Sequence, residues 1–471
     1  MSDGGPLEAL AAVADEPAWL VGGAVRDRLL GRPTDDYDVA VGGDARRLAR
    51  ELAGSSDAHV FALSEAFGVW RVVARDHSWQ VDVLPLAGTS IESDLRQRDF
   101  TINAIAEPLS GGGYVDPFGG IDDLRRGVLR MVSAAAFASD PLRTLRLARV
   151  ACELGLEVDE ETAVAAAASS EGLTGVAPER IFAEFKRILI ADRALAGLEL
   201  MDAVGATEVV LPELTEMRGV EQSHYHHLDV YEHTRSVLAS TIELSRRPEQ
   251  WFSSHAGAVA QLLDEPLANE LTRGQALRFG ALLHDVAKPQ TRRVTPEGRI
   301  TFIGHDVVGA EVAGAVLTRL RASDRLCEHV AALTRNHLRL GFLVHEMPVG
   351  RRAIYRYLRA CEPVQVDVTL LSVADRLATR GRGSDQAIAR HLELARELLG
   401  EALAWRDGRP RPPVRGDELA RAVGLRPGPE LGQILQELEE ASFAGEITSR
   451  QQAIDRARSI VGGPGRSGSE R

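Results

Sequence analysis

The sequence predicts an α+β chain: an α/β head followed by a long, almost wholly helical remainder. Two observations carry this. Between about Ala18 and Val132, short β-branched runs (Val39 to Val41, Val69 to Val73, Val81 to Leu84, Val128 to Val132) alternate with helical stretches such as Asp44 to Leu52. From Ala134 onward strand signals nearly vanish. Apolar residues then recur at helical spacing, as in Leu142, Leu145, Ala148 and Ala151, and again in Ile181, Phe185, Ile188 and Leu189.

Punctuation follows the same division. Gly31-Arg32-Pro33 and Asp116-Pro117-Phe118-Gly119-Gly120 break the head into turns. Arg406 to Arg415, rich in Arg, Pro and Gly, reads as a linker before a last helical module that includes Ile434 to Ala441. The Gly/Ser/Arg-rich stretch from Gly462 to Arg471 is expected to be disordered.

Composition narrows the function classes. The chain has 471 residues, enough for roughly three domains. At 44% hydrophobic it can bury cores, which excludes wholesale disorder. A net charge of −13 has the wrong sign for a protein coated in nucleic acid, so any RNA contact must come from local basic strips. Arginine supplies that charge, since Lys186 and Lys288 are the only lysines; a GC-rich genome explains the bias better than phosphate binding. Cys152, Cys327 and Cys361 are far apart and lack metal spacing, which fits a reducing cytosol. With no signal-peptide pattern and no apolar run long enough for a bilayer, a cytoplasmic location without a membrane partner is expected.

The chemistry concentrates near the N-terminus. Asp36 and Asp38 lead into Val-Ala-Val, a predicted strand, so both carboxylates project from one face. Like charges held together repel unless a cation sits between them, and a hard ion such as Mg²⁺ suits carboxylate oxygens. Asp82, in the run Val81-Asp82-Val83, offers a third catalytic carboxylate from a neighbouring strand. An isolated Asp-x-Asp is most often a solvated turn. Here Gly22 and Gly23 precede it, and paired glycines let backbone amides approach an anion at a helix start. Arg26 and Asp27 fall on the first turn beyond, where Arg26 can grip phosphate oxygens.

Gly-Gly-Ala-Val-Arg-Asp, Asp-Tyr-Asp and Arg98-Asp99-Phe100-Thr101-Ile102-Asn103 resemble the motifs of the class II tRNA nucleotidyltransferase and bacterial poly(A) polymerase family. Asp116 to Gly120 and Asp140-Pro141-Leu142-Arg143 fit as well, so the resemblance covers roughly Trp19 to Ile190. It implies a polymerase-β-like palm with helical neck, body and tail. The expected division is a head over 1–133, an RNA- and nucleotide-binding neck over 134–225, a metal-dependent body over 226–395, a helical module over 396–461 and the tail over 462–471. The resemblance also implies that Asp36 and Asp38 hold Mg²⁺ and that Arg98, Asp99 and Asn103 contact triphosphate and sugar. The residue chemistry agrees, since Arg98 supplies charge to phosphates and Asn103 an amide to a ribose hydroxyl. The implied activity is template-independent CCA addition to tRNA from CTP and ATP by two-metal phosphoryl transfer.

Asp140 and Arg143, three apart on a predicted helix, are expected to share a face and read the base, with Arg146 nearby as a further nucleotide-binding residue. An acceptor carboxylate beside a donor guanidinium matches cytosine and adenine and leaves uracil and guanine with opposed acceptors. Ser139 stands where the family usually has Glu. The connector from Leu84 to Asp94 is short, as in CC-adding members that need a separate A-adding enzyme. CC addition, poly(A) synthesis and a phosphohydrolase with an RNA-binding head are therefore the alternatives.

Further along, His233, then His284-Asp285, then Asp375 follow the order of the HD phosphohydrolase superfamily. The resemblance implies that these four hold a divalent transition metal or Mg²⁺, with His305 and His337 available for a second ion. The cluster His224, His226 and His227 is expected to lie on the surface. The helix opening at Pro427 to Gly432 offers an N-terminus to a tRNA phosphate.

Overall fold

The computed structural model describes residues 5–222, 228–379 and 384–461; the His224, His226 and His227 cluster and the tail from Gly462 lie outside them. The chain divides into two compact units, Met1–Val210 and Leu211–Arg471.

The first unit opens with α1 (Pro6–Val13), β1 (Ala18–Val21), α2 (Gly23–Leu29), β2 (Asp36–Val41), α3 (Ala45–Ser55), β3 (Ala58–Ser64), β4 (Val69–Ala74) and β5 (Gln80–Pro85). After α4 (Ile91–Leu95) and a 3₁₀ turn at Thr101–Asn103 comes β6 (Ala106–Pro108). The six strands form one sheet in the order β3-β4-β5-β2-β1-β6. Only β2 and β5 pair in parallel; their neighbours are antiparallel.

Strand alternation builds two faces. Leu20, Val39, Val41, Val72, Val81 and Val83 turn to one side and pack on Leu10 of α1 and Leu48, Ala49 and Leu52 of α3. The Asp44 side chain caps α3 by accepting the Arg47 N–H at 3.1 Å. On the other side, Val21, Ala40 and Ala106 pack on Ile91, Leu95 and Ala104. The carboxylates of β2 and β5 emerge next to this second cluster.

Asp116 to Gly120 proves to be a buttress. The Asp116 carboxylate accepts the N–H groups of Gly120 (2.7 Å) and Ile121 (2.9 Å), starting α5 (Gly120–Arg126). Asp123 of that helix accepts the Thr101 hydroxyl at 2.7 Å. This ties down the turn that carries Asp99 and Asn103.

Two local expectations are corrected here. Val128 to Val132 is not a strand throughout. Only β7 (Val128–Leu129) is a strand; it pairs with β8 (Glu157–Val158), while Val132 donates to the Asp99 carbonyl at 3.0 Å. Asp140 and Arg143 do not share a helix. Asp140 closes α6 (Ala135–Ser139) in an extended conformation, and Arg143 opens α7 (Arg143–Leu154). The cause is Pro141, whose ring disfavours helical geometry at the residue before it. The unit continues through α8 (Glu160–Ala168), α9 (Pro178–Ile190), α10 (Ala194–Ala203) and α11 (Ala206–Val210). Ile181, Phe185, Ile188 and Leu189 of α9 are buried as their spacing predicts.

The second unit is helical, with two short hairpins at Pro266–Thr272 and Arg293–Thr301. Its long helices include Val230–Arg246, Arg273–Leu283, His305–Arg319, Asp324–Asn336 and Gln365–Ala378. The expected linker shrinks to 408–415, because the helix Ser384–Asp407 runs into its start. Beyond it three helices close their own core around Leu419, Ile434, Leu438 and Ile454. Among the described residues no helix is long and apolar enough to cross a membrane.

A Cβ at Gly120 would stand 2.0 Å from the Thr101 carbonyl oxygen, so Gly120→Ala must push the 100–103 turn out of place. We expect a loss of about 2 kcal/mol in urea unfolding; an unchanged midpoint would show that the turn is not braced there.

Candidate functional site

The head carries a cleft of about 740 Å³ lined by Gly22, Gly23, Arg26, Asp27, Asp36, Asp38, Arg98, Asp99, Asn103, Arg143 and Arg146, among others. Eleven sequence-predicted residues thus converge, from four separate segments of the chain. Gly22, at φ +74°, turns the chain so tightly that a Cβ there would lie 3.0 Å from Arg98 Nη1 and 3.1 Å from Asp38 Oδ2. The Gly-Gly turn, a carboxylate and a guanidinium therefore meet at one point.

The parallel register sets Asp38 directly beside Asp82. Asp82 is held by Arg71, whose Nε and Nη2 donate to its two oxygens at 2.7 Å each. Among the described residues Asp38 has no such partner. Burial pushes its carboxyl up to about 6; Arg98 and Arg71 pull down, and Asp36 and Asp82 push further up. A half-buried carboxylate crowded by two others, in an open cleft, fits a divalent cation.

A chain of ion pairs runs back from this point. Arg26 is bidentate to Asp27 at 3.0 Å and donates to Asn103 Oδ1 at 2.7 Å. Asn103 donates to Asp99 Oδ1 at 3.0 Å, and Arg146 reaches Asp99 Oδ2 at 3.2 Å. Burial opposes the charge on Asp99, but Arg146, Asn103 and the Phe100 N–H hold its carboxyl below the usual range. Glu184 of α9 bridges Arg146 (3.3 Å) and Arg149, and Glu153 links Arg149 (2.9 Å) to Arg187 (2.8 Å). Arg149, Glu184 and Arg187 also line the cleft and were missed in the sequence. One signal was available: Glu184 falls on the apolar stripe of its helix, between Ile181 and Phe185, where an acid needs a partner.

Asp94 was missed as well. Its Oδ2 accepts Arg98 Nε (3.1 Å) and Nη2 (3.0 Å), and its Oδ1 accepts the Ala87 N–H at 3.0 Å. Gln97 donates to the Ala87 carbonyl at 3.0 Å and accepts Arg143 Nη2 on its own carbonyl at 2.9 Å. The short connector is thereby fastened to both arginines. Asp140, in contrast, does not line this cleft; its carboxylate pairs with Arg180 at 2.8 Å. Asp140 and Arg143 do not share a helix face, because Asp140 ends α6 and Arg143 begins α7.

The second unit holds the other constellation. Ligand atoms of His233, His284 and Asp375 lie within 4.8 Å of one another, as do those of Asp285, His305 and His337. Asp285 joins the two sets. Its Oδ2 lies 3.1 Å from His284 Nε2, and its Oδ1 lies 3.3 Å from His305 Nε2 and 3.7 Å from His337 Nε2. His284, His305 and His337 each place Nδ1 on a carbonyl three residues back, at 2.9, 2.7 and 2.6 Å. That contact fixes Nδ1 as the protonated nitrogen and leaves an Nε2 lone pair for the cluster. His284 Nε2 and both Asp285 oxygens are buried without a well-aligned hydrogen bond, which a metal ion would satisfy. Lys288 adds a cation 2.6 Å from Asp285 and donates to Gln222 at 2.7 Å. The cleft around these groups has a volume of about 710 Å³.

Three family models match along the chain. Residues 18–130 match the Poly A polymerase head domain, 155–218 the probable RNA and SrmB-binding site of polymerase A, and 230–380 the HD domain. Fold and sites thus define a nucleotidyltransferase with an HD domain in the same chain. An A-adding tRNA nucleotidyltransferase of Deinococcus radiodurans is 38% identical over 93% of this chain and 94% of its own. A CC-adding tRNA nucleotidyltransferase of Thermus thermophilus is 35% identical over 93% and 92%. The Thermotoga maritima CCA-adding enzyme, solved in complex with tRNA, shares the fold at TM-score 0.62 and 19% identity, covering 97% of this chain and 94% of that one. The chain belongs to the tRNA nucleotidyltransferase family.

The raised Asp38 carboxyl has a signed consequence. The fold keeps this proton up to about pH 6, whereas the unfolded chain releases it near its ordinary 3.8. The metal-free fold therefore loses stability as pH rises through that window, and the penalty is complete above it. Asp38→Asn should melt higher than the wild type in EDTA at pH 8, with the gap closing towards pH 4. A wild type that melts at or above the variant at pH 8 would refute the crowded-carboxylate account.

Proposed function

We propose that the head adds C and A residues to the 3′ end of tRNA, from CTP and ATP and without a template. The observation that carries this is Asp38 set beside Asp82 at the Gly22–Gly23 turn, in a cleft lined by Arg26, Arg98, Arg143, Arg146, Arg149 and Arg187. In this reading Asp36 and Asp38 hold Mg²⁺, with Asp82 as the third carboxylate. The bound ions would supply the positive charge that activates the RNA 3′-hydroxyl and neutralises departing pyrophosphate. The backbone at Gly22 and Gly23, with Arg26 and Arg98, holds the triphosphate; Asn103, oriented by Asp99, meets the ribose. Arg143 and Arg146 stand over the nucleotide, and Asp140 reads the base after its pair with Arg180 opens. The three buried, unpaired thiols support a cytoplasmic setting.

Two features favour a narrower reading of the product. The 85–93 connector is short and fastened, and the relatives at 38% and 35% identity are named A-adding and CC-adding. Such a specialist would share the work with a separate enzyme. The HD cluster supports a metal-dependent phosphohydrolase acting on phosphorylated RNA ends, with a transition metal or Mg²⁺ held by His233, His284, Asp285 and Asp375, and by His305 and His337.

End-labelled tRNA lacking its 3′ terminus, incubated with CTP and ATP separately and together, should grow by C, C and A. A product that stops after the C residues, or ATP use only on RNA already ending in CC, would replace this reading with the specialist one. ATP-driven elongation of unrelated RNAs would indicate poly(A) synthesis. Asp36→Ala with Asp38→Ala should reduce incorporation by at least about 10³-fold. His284→Ala should abolish hydrolysis of an RNA 3′-phosphate and spare incorporation; loss of both together would argue against two separate sites.

A further inference from the structure

One row of side chains crosses the head sheet. Register sets Asp38 beside Asp82, Asp82 beside Arg71, and Arg71 beside Phe61. Cross-strand partners project from the same face, so all four lie on the face that carries the carboxylates. The opposite face is buried in the core formed with α1 and α3. The carboxylate face is covered towards β1, β2 and β6, and at Leu84 near the end of β5, by the cluster around Ile91 and Leu95. Over β3 it lies open. His59, Phe61 and Leu63, alternate residues of that strand, are all exposed, with Phe61 at 47% and Leu63 at 46%. Arg71 spends Nε and Nη2 on Asp82, and its Nη1 makes no hydrogen bond among the described residues.

We propose that this β3–β4 face seats the unpaired 3′ end of the RNA substrate, with Phe61 stacking a terminal nucleobase and Arg71 meeting the phosphate between that base and the carboxylates. The proposal rests on the nucleotidyltransfer reading. A 3′-hydroxyl that attacks at Asp38 and Asp82 must arrive along a path not filled by nucleotide. The Gly22 turn, Arg98, Asn103 and Arg143 occupy the cleft on the far side of Asp38, which leaves the approach over β5, β4 and β3. Phe61 stands three strand spacings from Asp38, roughly 14 Å, within the reach of a terminal dinucleotide. Acid, guanidinium and aromatic ring follow one another in the order that hydroxyl, phosphate and base follow along a single strand. Proteins hold unpaired RNA by this combination of cation and aromatic face, and because every base has a π-face the contact tolerates sequence. An exposed aromatic on an edge strand is otherwise a liability for aggregation.

The test uses the full chain and tRNA lacking its 3′ terminus, with Phe61→Ala, Phe61→Leu and Phe61→Trp. Phe61→Ala and Phe61→Leu should raise KM for the RNA, and its Kd by anisotropy, about tenfold, while Phe61→Trp stays within about twofold. KM for CTP and ATP should stay put in all three. The proposal fails if Phe61→Ala leaves RNA affinity unchanged, or if Phe61→Leu restores it, which would mean packing rather than stacking. It also fails if the wild type sediments as a dimer that Phe61→Ala dissociates, which would make the face a contact between copies of this chain. A wild type that binds the RNA through Phe61 but incorporates neither nucleotide would defeat the nucleotidyltransfer reading and leave the RNA seat standing.

Discussion

Parallel pairing of β2 with β5 places the Asp38 carboxylate against that of Asp82, with Asp36 two residues along the same strand. Much of the head is arranged around the electrostatic cost of that contact. Carboxylates brought together in a partly desolvated site repel, and the fold must supply countercharge or let one of them keep its proton. It does both. Arg71 neutralises Asp82 in bidentate geometry, while Asp38 is left under-compensated, drawn down by Arg98 across the Gly22 turn and more weakly by Arg71. The residual negative potential is what a divalent cation would relieve.

The arginines are placed with the same economy. Arg26, Arg98, Arg146 and Arg149 are each paired with an acid, and Asp94, Asp99 and Glu184 are themselves held by further partners. Alternating signs along Asp27, Arg26, Asn103, Asp99, Arg146, Glu184 and Arg149 keep several partly buried guanidiniums in position without leaving a charge unpaired. Positioning of this kind suits phosphoryl transfer, where geometry and charge carry most of the rate. The arginines that line the cleft supply positive charge locally in a protein whose net charge is −13.

The HD cluster solves a related problem by another route. Three imidazoles donate Nδ1–H to backbone carbonyls within their own helical turn. The backbone thus selects the tautomer, and each Nε2 faces Asp285 or its neighbours as an acceptor. Asp285 uses one oxygen towards each ligand set, so the adjacent His284 and Asp285 serve different purposes although they are sequence neighbours.

What the sequence determined by itself was local. Strand period put Asp36 and Asp38 on one face, helix period buried Ile181, Phe185 and Ile188, and the Gly22–Gly23 pair marked the turn where backbone amides can approach an anion. These follow from φ/ψ preferences and side-chain spacing over a few residues. The order of His233, His284, Asp285 and Asp375 was legible as a pattern, though not the division of labour within it. Tertiary structure alone decided which strand lies beside β2, and hence that Asp82 faces Asp38 and that Arg71 and Phe61 continue the row. It decided that Asp140 turns to Arg180 instead of Arg143, a consequence of Pro141 that helical spacing concealed. It also recruited Glu184 and Arg187, whose value lies in partners dozens of residues away. The physical reason is common to all of these: conformational preference acts between neighbours along the chain, whereas charge compensation and strand register are settled between segments that meet only once the core has formed.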